Sequence, residues 1–152
     1  MTTISTQPRP CSVARTLEIV GEKWALLAVR EVCLGNRRFD EMVRRTGAPR
    51  DTMTARLKTL VAAGVLERRP VSEHPPRFEY RLTPAGLDLY PVIVSLMQWG
   101  DRYLTNGEAP PMVLTHSCGQ ALGAVTACSS CGEVIVARDV RPTPLREDST
   151  NH

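Results

Sequence analysis

The chain has 152 residues, 42% of them apolar and 23% charged, and this composition predicts one compact domain of ordinary size with a short appendage. No apolar run approaches the ~18 residues of a membrane helix, and the N-terminal residues lack the apolar core of a signal peptide. We therefore expect a soluble chain with no membrane partner and a cytoplasmic location.

The net charge of +3 is concentrated in one part of the chain. Residues 37–77 carry ten basic and five acidic side chains, a net charge of +5, and the remaining residues together carry −2. A basic stretch of this kind is typical of a surface that binds an anionic partner such as nucleic acid. A solvated face with scattered arginines is the alternative explanation.

Apolar periodicity predicts four helices in the first part of the chain. Residues 1–10 form a polar, flexible lead-in, and Ser12 is placed to cap the first helix. A largely buried helix is predicted over residues 22–34, a short amphipathic helix over 39–46, and a further helix over 49–63. The last two, separated by a break at a glycine, are typical of a helix-turn-helix.

A β-hairpin and a final helical segment follow. Residues 65–71 and 78–83 have β-type character, and the prolines and charges of residues 72–77 predict a protruding loop between them. Helical spacing then continues over residues 84–104, although Pro91 must kink or split this segment.

This order of elements predicts a mainly α fold with a small β-hairpin wing (α+β), the winged helix-turn-helix arrangement. The winged-helix domain spans residues 11–104, after a flexible N-terminus at residues 1–10. Residues 105–152 are expected to form a linker, a small Cys-rich unit and a flexible tail. The basic stretch falls within the helix-turn-helix and the wing.

The helix over residues 49–63 is the predicted recognition helix, because the second helix of a helix-turn-helix fits the major groove of DNA. Its apolar residues would face inward and leave a small, polar outer face. The candidate DNA contacts on this helix are Arg50, Thr52, Thr54, Ala55, Arg56 and Lys58. Arg56 lies on a flank and could instead brace the helix against its neighbours.

Three arginines outside the recognition helix are candidate contacts to the DNA backbone. Arg37 and Arg38, at the start of the preceding helix, suit phosphates, which position a protein without reading sequence. Arg77, near the hairpin tip, suits the adjacent minor groove or a phosphate. For all three, simple solvation is the alternative.

Seven short segments together resemble one known family. They are Cys11–Val20, Gly21–Trp24, Arg38–Glu41, Arg56–Leu60, Ala63–Arg68, Glu79–Gly86 and Trp99–Gly100. In this order and with these gaps they resemble the HxlR-type transcriptional regulators, a branch close to MarR. The resemblance implies a homodimeric regulator that binds double-stranded DNA at an inverted repeat. We expect a repressor, which would act by blocking a promoter, with activation as the alternative. Where such proteins usually have a serine before the recognition-helix proline, this chain has Ala48, so a capping bond is missing or replaced.

The resemblance also implies that the first and last helices of the domain form the dimer interface. We expect Trp99 and the apolar face around Val94 and Met97 to bury against the partner subunit, because a small monomer would leave that stripe in water. The sequence does not identify an effector.

Five cysteines without a secretion signal favour free thiols or metal ligands over disulfides. Cys11 immediately precedes a predicted helix, where the helix dipole favours a thiolate. In the family that the chain resembles, a cysteine at this position serves some members as a sensor of oxidants or electrophiles. A cysteine that only packs is the alternative.

The remaining candidate site lies in the Cys-rich unit. His116, Cys118, Cys128 and Cys131 present one imidazole and three sulfurs, a ligand set of the Cys₃His zinc type. The Cys-x-x-Cys-Gly half is a good zinc knuckle, and the His-x-Cys half is less usual. A structural zinc ion is our expectation, with a thiol–disulfide switch or unliganded thiols as alternatives.

These observations favour a sequence-specific DNA-binding regulator over an enzyme. A thiol oxidoreductase that used Cys128 and Cys131 would require a βαβ context, which the chain lacks. A winged-helix protein-interaction module without specific DNA binding is the remaining alternative.

Overall fold

The computed structural model describes residues 10–143, and the chain divides into two units between Gln98 and Trp99. The predicted lead-in up to residue 9 and the tail from residue 144 lie outside the described residues. The elements are α1 (Ser12–Val20), α2 (Lys23–Cys33), α3 (Phe39–Thr46), α4 (Arg50–Ala62), β1 (Leu66–Glu73), β2 (Pro76–Leu82), α5 (Pro84–Leu87), α6 (Tyr90–Tyr103) and a 3₁₀ turn (Ala137–Asp139). The predicted mainly α fold with a hairpin wing is confirmed.

The core of the first unit lies between α2, α3, α4 and the base of the hairpin. Met42, Met53, Leu57, Leu60 and Leu66 are fully buried there, and α2 contributes the small side chains that let α4 approach it. Each large apolar side chain buried in this way stabilises the fold by about 1.5–3 kcal/mol. The position of α4 is therefore set by its own apolar face.

Three residues, Gly47, Ala48 and Pro49, form the turn between α3 and α4. Gly47 adopts φ 73°, a left-handed conformation that suits glycine, and its N–H donates to the carbonyl of Val43 at 2.9 Å. Ala48 is 4% exposed, so its methyl group belongs to the core. Pro49 occupies the N-cap of α4 and, within residues 10–143, has no side-chain capping bond, as the absence of a serine predicts.

The wing is a two-stranded antiparallel hairpin that pairs Leu66 with Leu82 and Arg68 with Tyr80. The loop predicted over residues 72–77 is too long, because β1 extends to Glu73 and β2 begins at Pro76, which leaves only residues 74–75 as the turn. A register shift between Pro70 and Ser72 accommodates the irregular sequence and lets pairing resume. The wing is therefore longer and more ordered than its composition suggests.

The start of α5 is fixed by Thr83, as predicted. Its hydroxyl oxygen accepts the N–H of Gly86 at 3.2 Å, and its hydroxyl group contacts the carbonyls of Gly64 and Val65 at the base of the wing. The predicted split of the final helix occurs at residues 88–89, and Pro91 lies in the first turn of α6, where proline is tolerated.

Two predictions were wrong, one about the N-cap of α1 and one about the exposed face of α6. The N-cap of α1 is Cys11 rather than Ser12, and among the described residues it makes no side-chain capping bond. Val94 is only 3% exposed in the single chain and is not available to a partner subunit. The exposed side of α6 instead carries Val92, Leu96 and Trp99, because a 3.6-residue period places these residues away from Val94.

The second unit contains short hairpins rather than long strands. Isolated antiparallel bridges pair Thr115 with Ala121 and Ala127 with Val134. In neither unit do the described residues include a helix that is long and apolar enough to cross a membrane.

Candidate nucleic-acid interface

The outer face of α4 is exposed and polar, as the helical period predicts. Thr54, Ala55 and Lys58 are exposed and Thr52 is half-buried, whereas Met53 and Leu57 are buried in the core. Small and hydroxyl side chains allow close approach to base edges, and Ala55 suits a thymine methyl group. The structure therefore presents these predicted residues on one surface, and their contact with DNA stays a prediction.

Arg50 lies in the first turn of α4 and is held by residues of α3. Its Nη2 is 2.8 Å from Oδ1 of Asp40, and its Cζ is 4.9 Å from the centre of the Phe39 ring. The side chain remains 63% exposed. An exposed ion pair contributes only about 0–1 kcal/mol, so a guanine or phosphate can displace the carboxylate at little cost.

A concave groove of about 600 Å³ lies between the start of α3, the first half of α4 and the wing. It brings together three predicted DNA contacts from three different elements. Its lining includes Arg38, Phe39, Thr54, Arg68, Arg77 and Phe78. Positive charge from the wing and from Arg38, the N-cap of α3, thus adjoins the polar face of α4, and Asp40 of α3 also lines the groove.

Arg68 is a groove residue that the sequence analysis missed. Its guanidinium carbon stacks 3.6 Å from the centre of the Phe78 ring, across the two strands of the wing. Stacking of this kind stabilises a cation by about 0.5–1 kcal/mol at an exposed site and holds its planar group in one orientation. The alternation of charged and aromatic residues in β2, opposite the arginines of β1, was the signal that could have identified it.

Arg37 and Arg56 lie elsewhere. The carbonyl of Arg37 accepts the N–H of Tyr80 at 2.8 Å, and its side chain adjoins a separate concavity shared with Glu67 and Arg81. Arg56 is 26% exposed, and its Nη1 lies 3.1 Å from Glu22 Oε1. That ion pair favours the bracing role for Arg56, and DNA contact by either arginine stays a prediction.

All five cysteines lie within the described residues and are free thiols. Cys11 is exposed at the start of α1. Cys33 is half-buried near the end of α2, and burial raises the pKa of its thiol, so Cys33 is the less reactive of the two.

The predicted zinc ligands lie on two turns of the second unit. His116 Nδ1 accepts the N–H of Cys118 at 3.4 Å. The backbone N–H groups of Cys131 and Ser130 donate to the sulfur of Cys128 and lower the pKa of that thiol. Within residues 10–143, no group of three or more His, Cys, Asp or Glu side chains is arranged to hold a metal ion.

Comparison with known proteins decides the family. The model of the HxlR-like helix-turn-helix family matches residues 19–108, more than half of the chain. The chain belongs to this family. Its relatives are named HTH-type transcriptional regulators, so the prediction of a transcriptional regulator rather than an enzyme is confirmed.

Relatives in sequence carry the same description. The uncharacterized HTH-type transcriptional regulator Rv3095 of Mycobacterium tuberculosis is 51% identical over 134 residues, which cover 88% of this chain and 85% of that protein. The uncharacterized HTH-type transcriptional regulator sll1512 of Synechocystis is 30% identical over 106 residues, covering 69% of this chain and 78% of that protein.

Solved structures show the same architecture. The putative transcription factor PA1607 matches with a TM-score of 0.80 and 32% identity, covering 92% of this chain and 99% of that one. The redox regulator HypR in its oxidized form matches with a TM-score of 0.54 and 30% identity, covering 60% of this chain and 96% of that one. The match to PA1607 extends beyond residue 108, where the family model ends, and so includes much of the second unit.

Proposed function

We propose that the protein is a homodimeric repressor that binds an inverted-repeat operator, with α4 of each subunit in the major groove. The observation that carries this proposal is the groove that joins Thr54 of α4 to Arg38 and Arg77. It combines a base-reading helix with cations that suit phosphates, which is the division of roles that specific DNA binding requires.

On α4, the roles follow from side-chain chemistry. Arg50 and Lys58 can donate to guanine O6 and N7 or to a phosphate, and Thr54 can donate or accept at a base edge. Arg50 begins near its working position because Asp40 and Phe39 already restrict it. Less conformational entropy is then lost on binding.

The wing supplies contacts beside the recognition helix. Arg77 pairs with Ser72 near the tip of the hairpin and is exposed, so it can enter the adjacent minor groove or contact its phosphates. Arg68, held on the Phe78 ring, is a second candidate cation in the groove. These contacts are expected to strengthen binding to any duplex and to make it salt-dependent.

Exposed apolar residues support a dimer built from the first and last helices of the domain. Val13 and Leu17 of α1 are 66% and 54% exposed, and Leu96 and Trp99 of α6 are 52% and 56% exposed. A soluble chain rarely leaves such stripes in water. A second copy of the chain would cover them and would set two α4 helices at neighbouring major grooves.

Cys11 is our candidate for a response to oxidants or electrophiles. It is exposed and stands at the N-terminus of α1, one of the two helices proposed to form the dimer. A modified Cys11 could therefore alter the spacing of the two recognition helices. HypR, a structural neighbour, is itself named a redox regulator.

The test is a binding titration with reduced full-length protein. We expect preference for the duplex upstream of its own gene over a scrambled duplex of equal length, measured by fluorescence anisotropy at two salt concentrations. Lys58→Ala should weaken this preference, whereas Arg138→Ala, at a charged position in the second unit, should not. Equal binding to both duplexes by the wild type would contradict operator recognition at that site. Binding to neither would favour the protein-interaction module.

A further inference from the structure

The second unit contains two short hairpins with similar tips. In the first, His116 donates its N–H to Gln120 and Gly119 donates back to His116, both at 2.9 Å. In the second, Cys128 donates its N–H to Glu133 and Gly132 donates back to Cys128, both at 2.8 Å. Each tip is therefore closed by a backbone hydrogen bond to its first residue, His116 in one hairpin and Cys128 in the other.

Each tip ends at a glycine in the left-handed conformation that the turn requires. Gly119 has φ 86° and Gly132 has φ 77°, and each directly follows a cysteine. A residue with a Cβ atom adopts this conformation at a cost, so glycine is what allows the chain to reverse there.

These hairpins have no hydrophobic core of their own. None of residues 105–143 is buried, and Val113, Val125 and Val134 are 64%, 74% and 57% exposed. Two-stranded hairpins are only marginally stable by themselves, and small units without a core depend on disulfides, a metal or a partner. The thiols of this unit are free, so disulfides do not supply that stability.

The four candidate zinc ligands are divided between the two hairpin tips, so an ion bound by all four would link the hairpins. His116 and Cys118 are on the first tip, and Cys128 and Cys131 are on the second. A disulfide between Cys128 and Cys131 would close only the second tip and leave the two hairpins unconnected.

We propose that His116, Cys118, Cys128 and Cys131 bind one structural zinc ion that fastens the two hairpin tips together. The described residues do not gather even three of these donors, so the ion must draw the tips towards each other. On binding, the three thiols release their protons to solvent and the imidazole binds as a neutral ring, with Zn–S distances of about 2.3 Å and a Zn–N distance of about 2.0–2.1 Å. Four protein ligands leave no open position, so the site is structural.

The first test is the metal content of the full-length protein, purified in reducing buffer without chelator. We expect about one zinc ion per chain by elemental analysis, because four donors form one tetrahedral site. Cys128→Ser and His116→Ala should lose the zinc, whereas Cys33→Ser, a matched removal of a thiol in α2, should retain it. Wild-type protein without zinc, or Cys128→Ser with undiminished zinc, would overturn the proposal.

A second measurement separates ligation from a merely structural effect of substitution. His116→Cys should retain the zinc, because it converts the set to four thiolates, although it removes the imidazole as completely as His116→Ala does. Full-length protein produced with Co²⁺ should show a thiolate-to-cobalt charge-transfer band and the intense visible bands of a tetrahedral site. Weak octahedral bands, loss of metal in His116→Cys, or a Cys128–Cys131 disulfide in freshly purified protein would each contradict the proposed zinc site.

Discussion

Asp40 in the first turn of α3 holds Arg50 in the first turn of α4, with 2.8 Å between Oδ1 and Nη2. The pair joins the two helices of the helix-turn-helix at their N-termini, on the side that faces solvent. The Phe39 ring lies 4.9 Å from the guanidinium carbon and limits the arginine on another side. A cation aimed in this way can read a base with little loss of side-chain entropy.

Arg50→Ala is therefore expected to reduce discrimination between the operator and a scrambled duplex. A bidentate arginine–guanine contact contributes about 1–3 kcal/mol of discrimination, so the ratio of operator affinity to scrambled-duplex affinity should fall by roughly fivefold to 150-fold. Anisotropy titrations on both duplexes measure that ratio. An unchanged ratio with weaker binding to both duplexes would show that Arg50 contacts phosphate only.

Asp40→Asn tests whether the carboxylate positions Arg50. The substitution keeps the size of the side chain and removes the charge that orients the guanidinium. We expect the operator preference to fall by less than in Arg50→Ala, and affinity for the scrambled duplex to stay level or rise, because a negative charge near phosphate is gone. Asp40→Asn and Asp40→Ala should reduce the operator preference equally. In an Arg50→Ala background neither substitution should reduce it further, and this difference would identify coupling between Asp40 and Arg50.

Arg77→Ala, unlike Arg50→Ala, is expected to weaken binding without changing the preference for the operator. A phosphate contact strengthens binding to every duplex, so both affinities should fall together while their ratio stays the same. The plot of log affinity against log salt concentration should become less steep by about 0.9, the contribution of one phosphate contact. An unchanged slope would place Arg77 outside the interface.

The helices of the first unit were predictable because local signals and packing agree. The boundaries of α3 fall at residues 39 and 46 as its amphipathic pattern and Gly47 indicate, and Met53, Leu57 and Leu60 of α4 are buried as predicted. The polar face of α4 follows directly from this burial. For these elements the sequence contains the relevant physical information.

The remaining features depend on tertiary placement. The Arg68–Phe78 stack and the Asp40–Arg50 pair join residues of different elements, and no local pattern sets their distance. The wing was predicted too short because prolines and charges suggested a loop, whereas cross-strand pairing extends to Glu73 and Pro76. Val94 was assigned to the wrong face because α6 has apolar residues on more than one side.

Leu96→Arg is expected to weaken the proposed dimer. Leu96 is 52% exposed on α6, and a charge buried at an apolar interface without a partner is strongly unfavourable. Sedimentation velocity at micromolar concentration should show a dimer for the wild type and a monomer for the variant. Val125→Arg, at a 74% exposed position in the second unit, serves as the control and should remain dimeric. A wild-type monomer would contradict the dimer itself.

Gly86→Ala should destabilise the junction between the wing and α5. Gly86 is buried, and a Cβ atom there would lie 2.2 Å from the carbonyl oxygen of Val65, much closer than atoms can approach. That carbonyl also contacts the Thr83 hydroxyl at 3.1 Å, so neither the backbone nor the cap can move freely.

Overpacking of this kind typically costs about 1–3 kcal/mol, and we expect the free energy of unfolding in urea to fall by that amount. Gly123→Ala is the matched control, because an added Cβ at Gly123 meets no atom within 4 Å among the described residues. Its unfolding free energy should stay within about 0.5 kcal/mol of the wild type, as is usual for surface substitutions. Equal stability of both variants would show that α5 can shift away from Val65, and that the base of the wing does not require glycine.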